Sequence, residues 1–262
     1  MARIRNIMIN NQEHKSEISE NMIVDEDGND GFHRCDSIEE FEEFILSGHQ
    51  PNSMNLCEET PLFNCKNPEI VRRLINMGLD VNHRNINGNT PLFSARSLEV
   101  AMLLISNGAD VNAVNNYGET ALFRCDNANV ANYLIMNGLD VNARNSHNET
   151  PLMTNFNPDV MKVFIENGAD VNAVGGWNCH TALHTHDEEK QMKILLDANA
   201  DIELRDNLGR TPLFYKHTIE TAKLLLDHNA NIDVADNEGI YLIEAVRDKV
   251  CDFILEYLGI CQ

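Results

Sequence analysis

The densest run of chemically capable side chains in this 262-residue chain is Cys179, His180, His184 and His186, just after Gly175, Gly176 and the sole tryptophan, Trp177. One thiol and three imidazoles are zinc ligands by type. Zinc sites, however, show cysteine and histidine in regular pairs, and this run does not. Cys35, Cys57, Cys65, Cys125, Cys251 and Cys261 bring the cysteines to an odd seven with no CxxC pair. That usage fits reduced thiols in a cytosol better than a disulfide framework. Hydrolytic and phosphoryl-transfer chemistry has no foothold either, since the sequence holds no glycine-rich phosphate loop, GxSxG or HExxH. No catalytic residue, metal or cofactor is expected, and the chain reads as a non-enzyme. What remains is contact chemistry. A tryptophan in a glycine-flanked loop suits an interface anchor; the competing reading folds it back over a neighbouring loop.

These residues belong to the irregular member of a repeat. A threonine, a small or cyclic residue and a leucine recur from Thr60, Thr90, Thr120, Thr150, Thr181 and Thr211, at a spacing of 30 with a single 31. Gly48, Gly78, Gly108, Gly138 and Gly168, then Asn199 and Asn229, keep the same phase. Four residues later come Asn52, Asn82, Asn112, Asn142 and Asn172, then Glu203 and Asp233. Such a period marks stacked units, each contacting only its neighbours.

One unit can be read from Thr90 to Asn112. Thr90 is placed to cap a very short inner helix, with Pro91 at its first position, where a missing N–H costs nothing. A longer outer helix follows, with Val100, Leu103, Leu104 and Ile105 inward, and Gly108 ends it in the left-handed conformation. Val111 anchors an extended finger tipped by Asn116-Tyr117-Gly118, and Asn112 is placed to bond the turn backbone. Near the start, Ser37 and Glu40 form a capping-box pattern for a helix with Ile38, Phe41, Phe44 and Ile45 on one face. In phase this is an outer helix whose inner partner is missing or replaced by the preceding arm. The expected organisation is an acidic, partly disordered arm over 1–35, broken at Asp25 to Gly31, and a repeat domain over 36–262. Within that domain lie a half unit at 36–59, six full units over about 60–240 and a cap at 241–262.

The unit resembles the ankyrin repeat, whose pattern is G-x-T-P-L-H-x-A-A, a valine- and leucine-rich helix, and G-A-D-V-N. Gly118-Glu119-Thr120-Ala121-Leu122 and Gly209-Arg210-Thr211-Pro212-Leu213 carry its front. Asn107 to Asn112 and Asn167 to Asn172 carry its back. The resemblance implies an all-α ankyrin-repeat solenoid of helix-turn-helix units with finger loops. Ankyrin units run to about 33 residues, and the residues missing here fall between the TPL segment and the outer helix. The compact form looks like repeats common in bacterial ankyrin proteins. The family's histidine survives only at His184, with Phe63, Phe93, Phe123 and Phe214 in its place elsewhere, where they fill volume that the shortened helix leaves.

Twenty lysines and arginines against 41 acids give a net charge of −21, which repels nucleic acid and anionic membranes and steers basic partners inward. No apolar run is long enough to span a bilayer, and the N-terminus does not read as a secretory signal. The expected function is binding and occluding or sequestering a basic protein, as an inhibitor or immunity protein does, in the cytoplasm, as a monomer or in a hetero-complex. Alternatives are a secreted effector or viral protein that recruits a host factor inside a host cell, and an accessory subunit of an enzyme. Candidate partner-binding residues are Tyr117, His147, Trp177 and Leu208 on the fingers, and Arg96, Arg124, Phe156, Tyr215 and His217 on the concave face. Tyr117, Trp177 and Phe156 are expected to form an aromatic patch rimmed by acids.

Overall fold

The computed structural model describes residues 30–246, 248–257 and 259, so most of the expected N-terminal arm lies outside the described residues. The chain divides into two compact bodies with the boundary between Tyr117 and Gly118. The first holds helices Gly31–Arg34, Ile38–Leu46, Pro68–Asn76 and Leu98–Ser106, with a 3₁₀ turn at Pro91–Ser94. The second holds short inner elements at Ala121–Arg124, Pro151–Thr154, Ala182–Thr185, Pro212–Tyr215 and Leu242–Ala245. Its longer outer helices are Ala128–Met136, Pro158–Glu166, Glu189–Asp197, Ile219–Asp227 and Asp248–Tyr257. Among the described residues there is no strand, only the isolated bridges Gly175–His180 and Ala235–Tyr241.

Local chemistry explains each unit. In the third repeat the outer helix starts at Ser97, whose hydroxyl accepts from the Val100 N–H at 3.2 Å, the usual N-cap arrangement. Its buried face is Val100, Ala101, Leu103 and Leu104; Ala101 takes the place expected for Ile105, which is half-buried. Helix ends turn through Gly108 at φ 90°, and in later repeats through Asn199 and Asn229 at φ 60° and 64°. Asparagine tolerates this left-handed region better than most residues, which lets it replace glycine there.

Two expectations need correction. The first unit does not begin at 36, because residues of the expected arm fill its inner position. Asp30, thirty residues before Thr60, caps Gly31–Arg34 by accepting from the Phe32 and His33 N–H groups at 3.0 and 3.2 Å. The asparagines that keep this phase also bond the next repeat. Asn82 donates to the Gly108 carbonyl at 2.8 Å and accepts from the Asp110 N–H at 2.7 Å, both in the next repeat. Asn142 does the same to Gly168 and Asp170. The turn itself is closed by the aspartate, as when Asp110 accepts from Asn112 N–H at 2.9 Å.

A further row runs through the inner turns at the fifth residue after each cap. In the first body it is Cys35, Cys65 and Ala95, all small. A cleft remains beside it, lined by Phe63, Asn64, Lys66, Arg96 and Ser97 among others. In the second body the same row begins with the small Cys125 and then lengthens to Asn155, His186 and Lys216, each of which reaches back to the equivalent carbonyl one repeat earlier. Asn155 donates to Cys125 O at 2.7 Å, His186 sets Nε2 3.0 Å from Asn155 O, and Lys216 donates to His186 O at 2.5 Å.

Candidate functional site

The irregular finger is built by what its sequence lacks. Regular fingers close through an asparagine or, at Asp206 and Asp236, an aspartate: Asn145 Oδ1 accepts from the His147 and Glu149 N–H groups at 2.9 Å. In the next repeat that position is Gly175, which has no side chain to accept. Gly175 still donates its N–H to His180 O at 2.9 Å, as Asn145 does to Glu149 O, but across one residue more, and the added length turns at Gly176, φ 71°. A Cβ on Gly175 would stand 2.2 Å from Asn148 O, so glycine there is what lets this finger lie against the one before. Gly176 then donates to His147 O at 2.9 Å.

The outcome is a placed tryptophan. Trp177 is 85% exposed, and its ring meets that of His147, centroids 5.9 Å apart and tilted by 44°. Glu149 completes the group: His147 Nδ1 lies 4.0 Å from its Oε2, and a Cβ on Gly176 would stand 3.3 Å from its Oε1. Arg144 clamps the two fingers from its own position, donating to Asn148 O and Val174 O at 2.7 Å each. On the other side Asn207 donates from its side chain to Trp177 O at 2.9 Å and from its backbone to Asn178 O at 2.9 Å.

Neighbouring fingers are also joined by a side-chain pair whose polarity reverses along the chain. Early repeats put an acceptor before the threonine and an asparagine on the following finger: Asn85 donates to Glu59 at 3.0 Å, and Asn115 to Asn89 at 2.9 Å. Later repeats put the base first and an aspartate second. His180 Nε2 lies 3.3 Å from Asp206 Oδ2, and Arg210 donates twice to Asp236 Oδ2 at 3.0 and 2.9 Å. Tyr215 also donates to Asp206, at 2.5 Å; burial and that carboxylate push the phenol up to about 12.

Two histidines occupy the family's histidine position, and their surroundings shift them in opposite directions. Burial lowers His184 to about 4. The neutral ring accepts at Nδ1 from the Thr181 N–H at 3.1 Å, with the Thr181 hydroxyl 2.8 Å away, and faces Arg210 O with Nε2 at 3.2 Å. His33 has an aspartate as its cap. Its Nδ1 lies 2.8 Å from Asp30 and its Nε2 2.8 Å from Glu59 O, so both nitrogens face acceptors. Burial opposes the charge, yet the Asp30 bond prevails: His33 is raised, and Asp30 falls to about 2. Sequence reading missed His33 because Asp-Gly-Phe-His does not resemble TPLH; its distance of thirty from Phe63 was the available signal.

The remaining candidates separate. Tyr117 is on a finger of the first body, about half exposed, with its hydroxyl 3.5 Å from Asn87. Leu208 is partly exposed on the finger after Trp177. Arg96 lines the cleft of the first body. Arg124 is paired with Glu119 at 2.9 Å. Phe156 stacks on His186, centroids 4.9 Å apart, so its ring partner differs from that of Trp177. Tyr215 is tied into the Asp206 group, and His217 takes its backbone N–H to Asp187 at 3.3 Å. Of the thiols, Cys35, Cys65 and Cys125 are pushed up to about 11 by burial, which makes them poor nucleophiles.

Paired helices, left-handed helix ends and stitched fingers define a repeat scaffold for protein contacts. The family profile of ankyrin repeats, in three overlapping copies, matches residues 34–115, 64–145 and 94–175. Together these span more than half of the chain, which belongs to the ankyrin-repeat family. Among solved structures it is similar to the ankyrin repeat domain of Bcl-3, a member of the IkappaB protein family. That match has 23% identity and a TM-score of 0.55, covering 77% of this chain and 100% of that one. No curated protein matches. Ankyrin repeats make this a protein–protein interaction module on a fold that is typically a non-catalytic scaffold. Among the described residues no helix is long and apolar enough to cross a membrane.

Proposed function

We propose that this protein binds a basic protein partner through the fingers of its second body and acts by occlusion or sequestration, as an inhibitor or immunity protein does. The observation that carries this reading is Trp177, 85% exposed on a finger held by hydrogen bonds on both sides. Covering such a ring with a partner is worth on the order of 4 kcal/mol in apolar area alone. A rigid finger also loses little entropy on binding. The net charge of −21 supplies the sign of the partner.

Affinity capture from the native source with the wild-type chain and Trp177→Ala in parallel tests this. The expected partner is basic, is lost from the Trp177→Ala sample, and is released progressively as salt rises. Equal capture by both proteins, or an acidic partner insensitive to salt, overturns the reading. The thermal transition of Trp177→Ala should match wild type, because the ring supports little of the fold.

A further inference from the structure

We propose that Trp177, His147 and Glu149 form a seat for the guanidinium of a partner arginine. The proposal rests on the reading of a basic partner and gives it a contact point. Two aromatic rings from adjacent fingers present a joint π surface, tilted by 44° at 5.9 Å, and 85% of Trp177 faces solvent. Glu149 stands beside that surface, within 4.0 Å of the imidazole and against the backbone at Gly176. A planar cation over an indole with a carboxylate at its edge is a favourable pairing. Arginine suits it better than lysine, because guanidinium stacks flat while its edge donates to the carboxylate. Arg144 is close by and cationic, and one nitrogen of its guanidinium is held by both the Asn148 and Val174 carbonyls.

The geometry is specific to this finger pair. Counted back from the inner-helix cap, the position of Trp177 is Ile86, Asn116, Ser146, Asn207 or Asn237 in other fingers, and the side chains of Asn116 and Asn207 donate to the preceding finger's carbonyl, at Ile86 and Trp177 respectively. Among the described residues Trp177 is the most exposed aromatic side chain.

The single tryptophan makes the test direct. The full chain is titrated at pH 8 and low salt with a labelled hexa-arginine peptide, following both the emission of Trp177 and the anisotropy of the label. A saturable change in tryptophan emission that coincides with the anisotropy curve is expected. Glu149→Gln should weaken binding by about fivefold, and a hexalysine peptide should bind less tightly. Peptide binding without any change in emission, or an unchanged affinity in Glu149→Gln, overturns the seat and leaves the basic-partner reading standing. Equal affinity for hexalysine overturns the preference for guanidinium. Absence of an anisotropy change at low salt counts against both readings.

Discussion

Lys216 is 1% exposed, and the chain surrounds it with carbonyls rather than with a carboxylate. Its ammonium donates to Leu183 O at 2.9 Å and to His186 O at 2.5 Å. Burial lowers it from 10.5 to about 8, opposed only by the charge of Asp187. Below pH 8 the group is protonated in both the folded and unfolded chains, and folding carries a constant penalty. A shift of 2.5 units at about 1.4 kcal/mol each sets that penalty at roughly 3 kcal/mol. Between pH 8 and 10.5 the unfolded chain binds more protons than the folded one, so stability rises with pH across this window. Raising the pH from 7 to 9.5 should relieve about 2 kcal/mol of the penalty. Lys216→Met keeps the length and removes the titration. Urea unfolding of both proteins at several pH values, followed by circular dichroism, isolates the effect as a difference, since the other groups are common to both. Tyr215, at about 12, stays protonated throughout. The wild type should gain on the variant by about 2 kcal/mol over this range. Parallel curves would mean that Lys216 keeps an ordinary pKa and that water or Asp187 reaches it in solution.

Other expectations follow from single residues. The hydroxyls of Thr90 and Thr181 are both buried, but Thr90 finds no partner whereas Thr181 has His184 at 2.8 Å. Thr181→Val should therefore cost about 1 kcal/mol and Thr90→Val nothing or less than nothing, by thermal or chemical unfolding. Gly175→Ala should push the diglycine finger off Asn148 and cost roughly 1–3 kcal/mol, with an altered Trp177 emission; a silent substitution would mean that the fingers are not in contact. Arg210→Glu should lower the melting temperature by placing a carboxylate on Asp236, and adding Asp236→Asn should restore most of the loss by recreating the early-repeat polarity. Failure of the double variant to recover would show that the two residues do not act as a pair. For the Asp30–His33 pair the sign is the opposite of Lys216. His33 is raised, so its contribution is complete below pH 6.5 and fades as pH climbs through the folded value, a loss that Asp30→Asn should abolish.

Much of this fold is legible in the residues because a repeat states its rules many times. The threonine, leucine and glycine phases located the inner turns, the outer helices and their left-handed ends. The first unit escaped because its cap had changed chemistry: aspartate bonded to a histidine does the work of threonine bonded to one. Only the distance of thirty to the next repeat betrays it. The reach of Asn155, His186 and Lys216 was equally hidden, since nothing in a lysine codon position marks it as buried. A polar side chain in a core row becomes intelligible once the carbonyl it faces is known. The aromatic patch was expected from position along the edge, and the structure instead gives Phe156 and Trp177 different neighbours. Side-chain direction, set by local hydrogen bonds, decided that, and spacing does not encode it.

The reversal from glutamate–asparagine to base–aspartate has a consequence for where binding can evolve. Each finger is constrained by donors and acceptors on both neighbours, so a change at Asp206 demands an answer at His180 and Tyr215. The outward side of a finger carries no such condition. Trp177 contributes its carbonyl to Asn207 and leaves its side chain to solvent, so any residue there satisfies the scaffold. An exposed aromatic ring at an unconstrained position is not required by folding, and exposing it works against solubility. The same finger spends two glycines and an inserted residue on holding that ring in place. Structure maintained at some cost, around a side chain the fold does not need, is the signature expected of a contact residue, and it is why the binding test belongs at Trp177 rather than along the regular repeats.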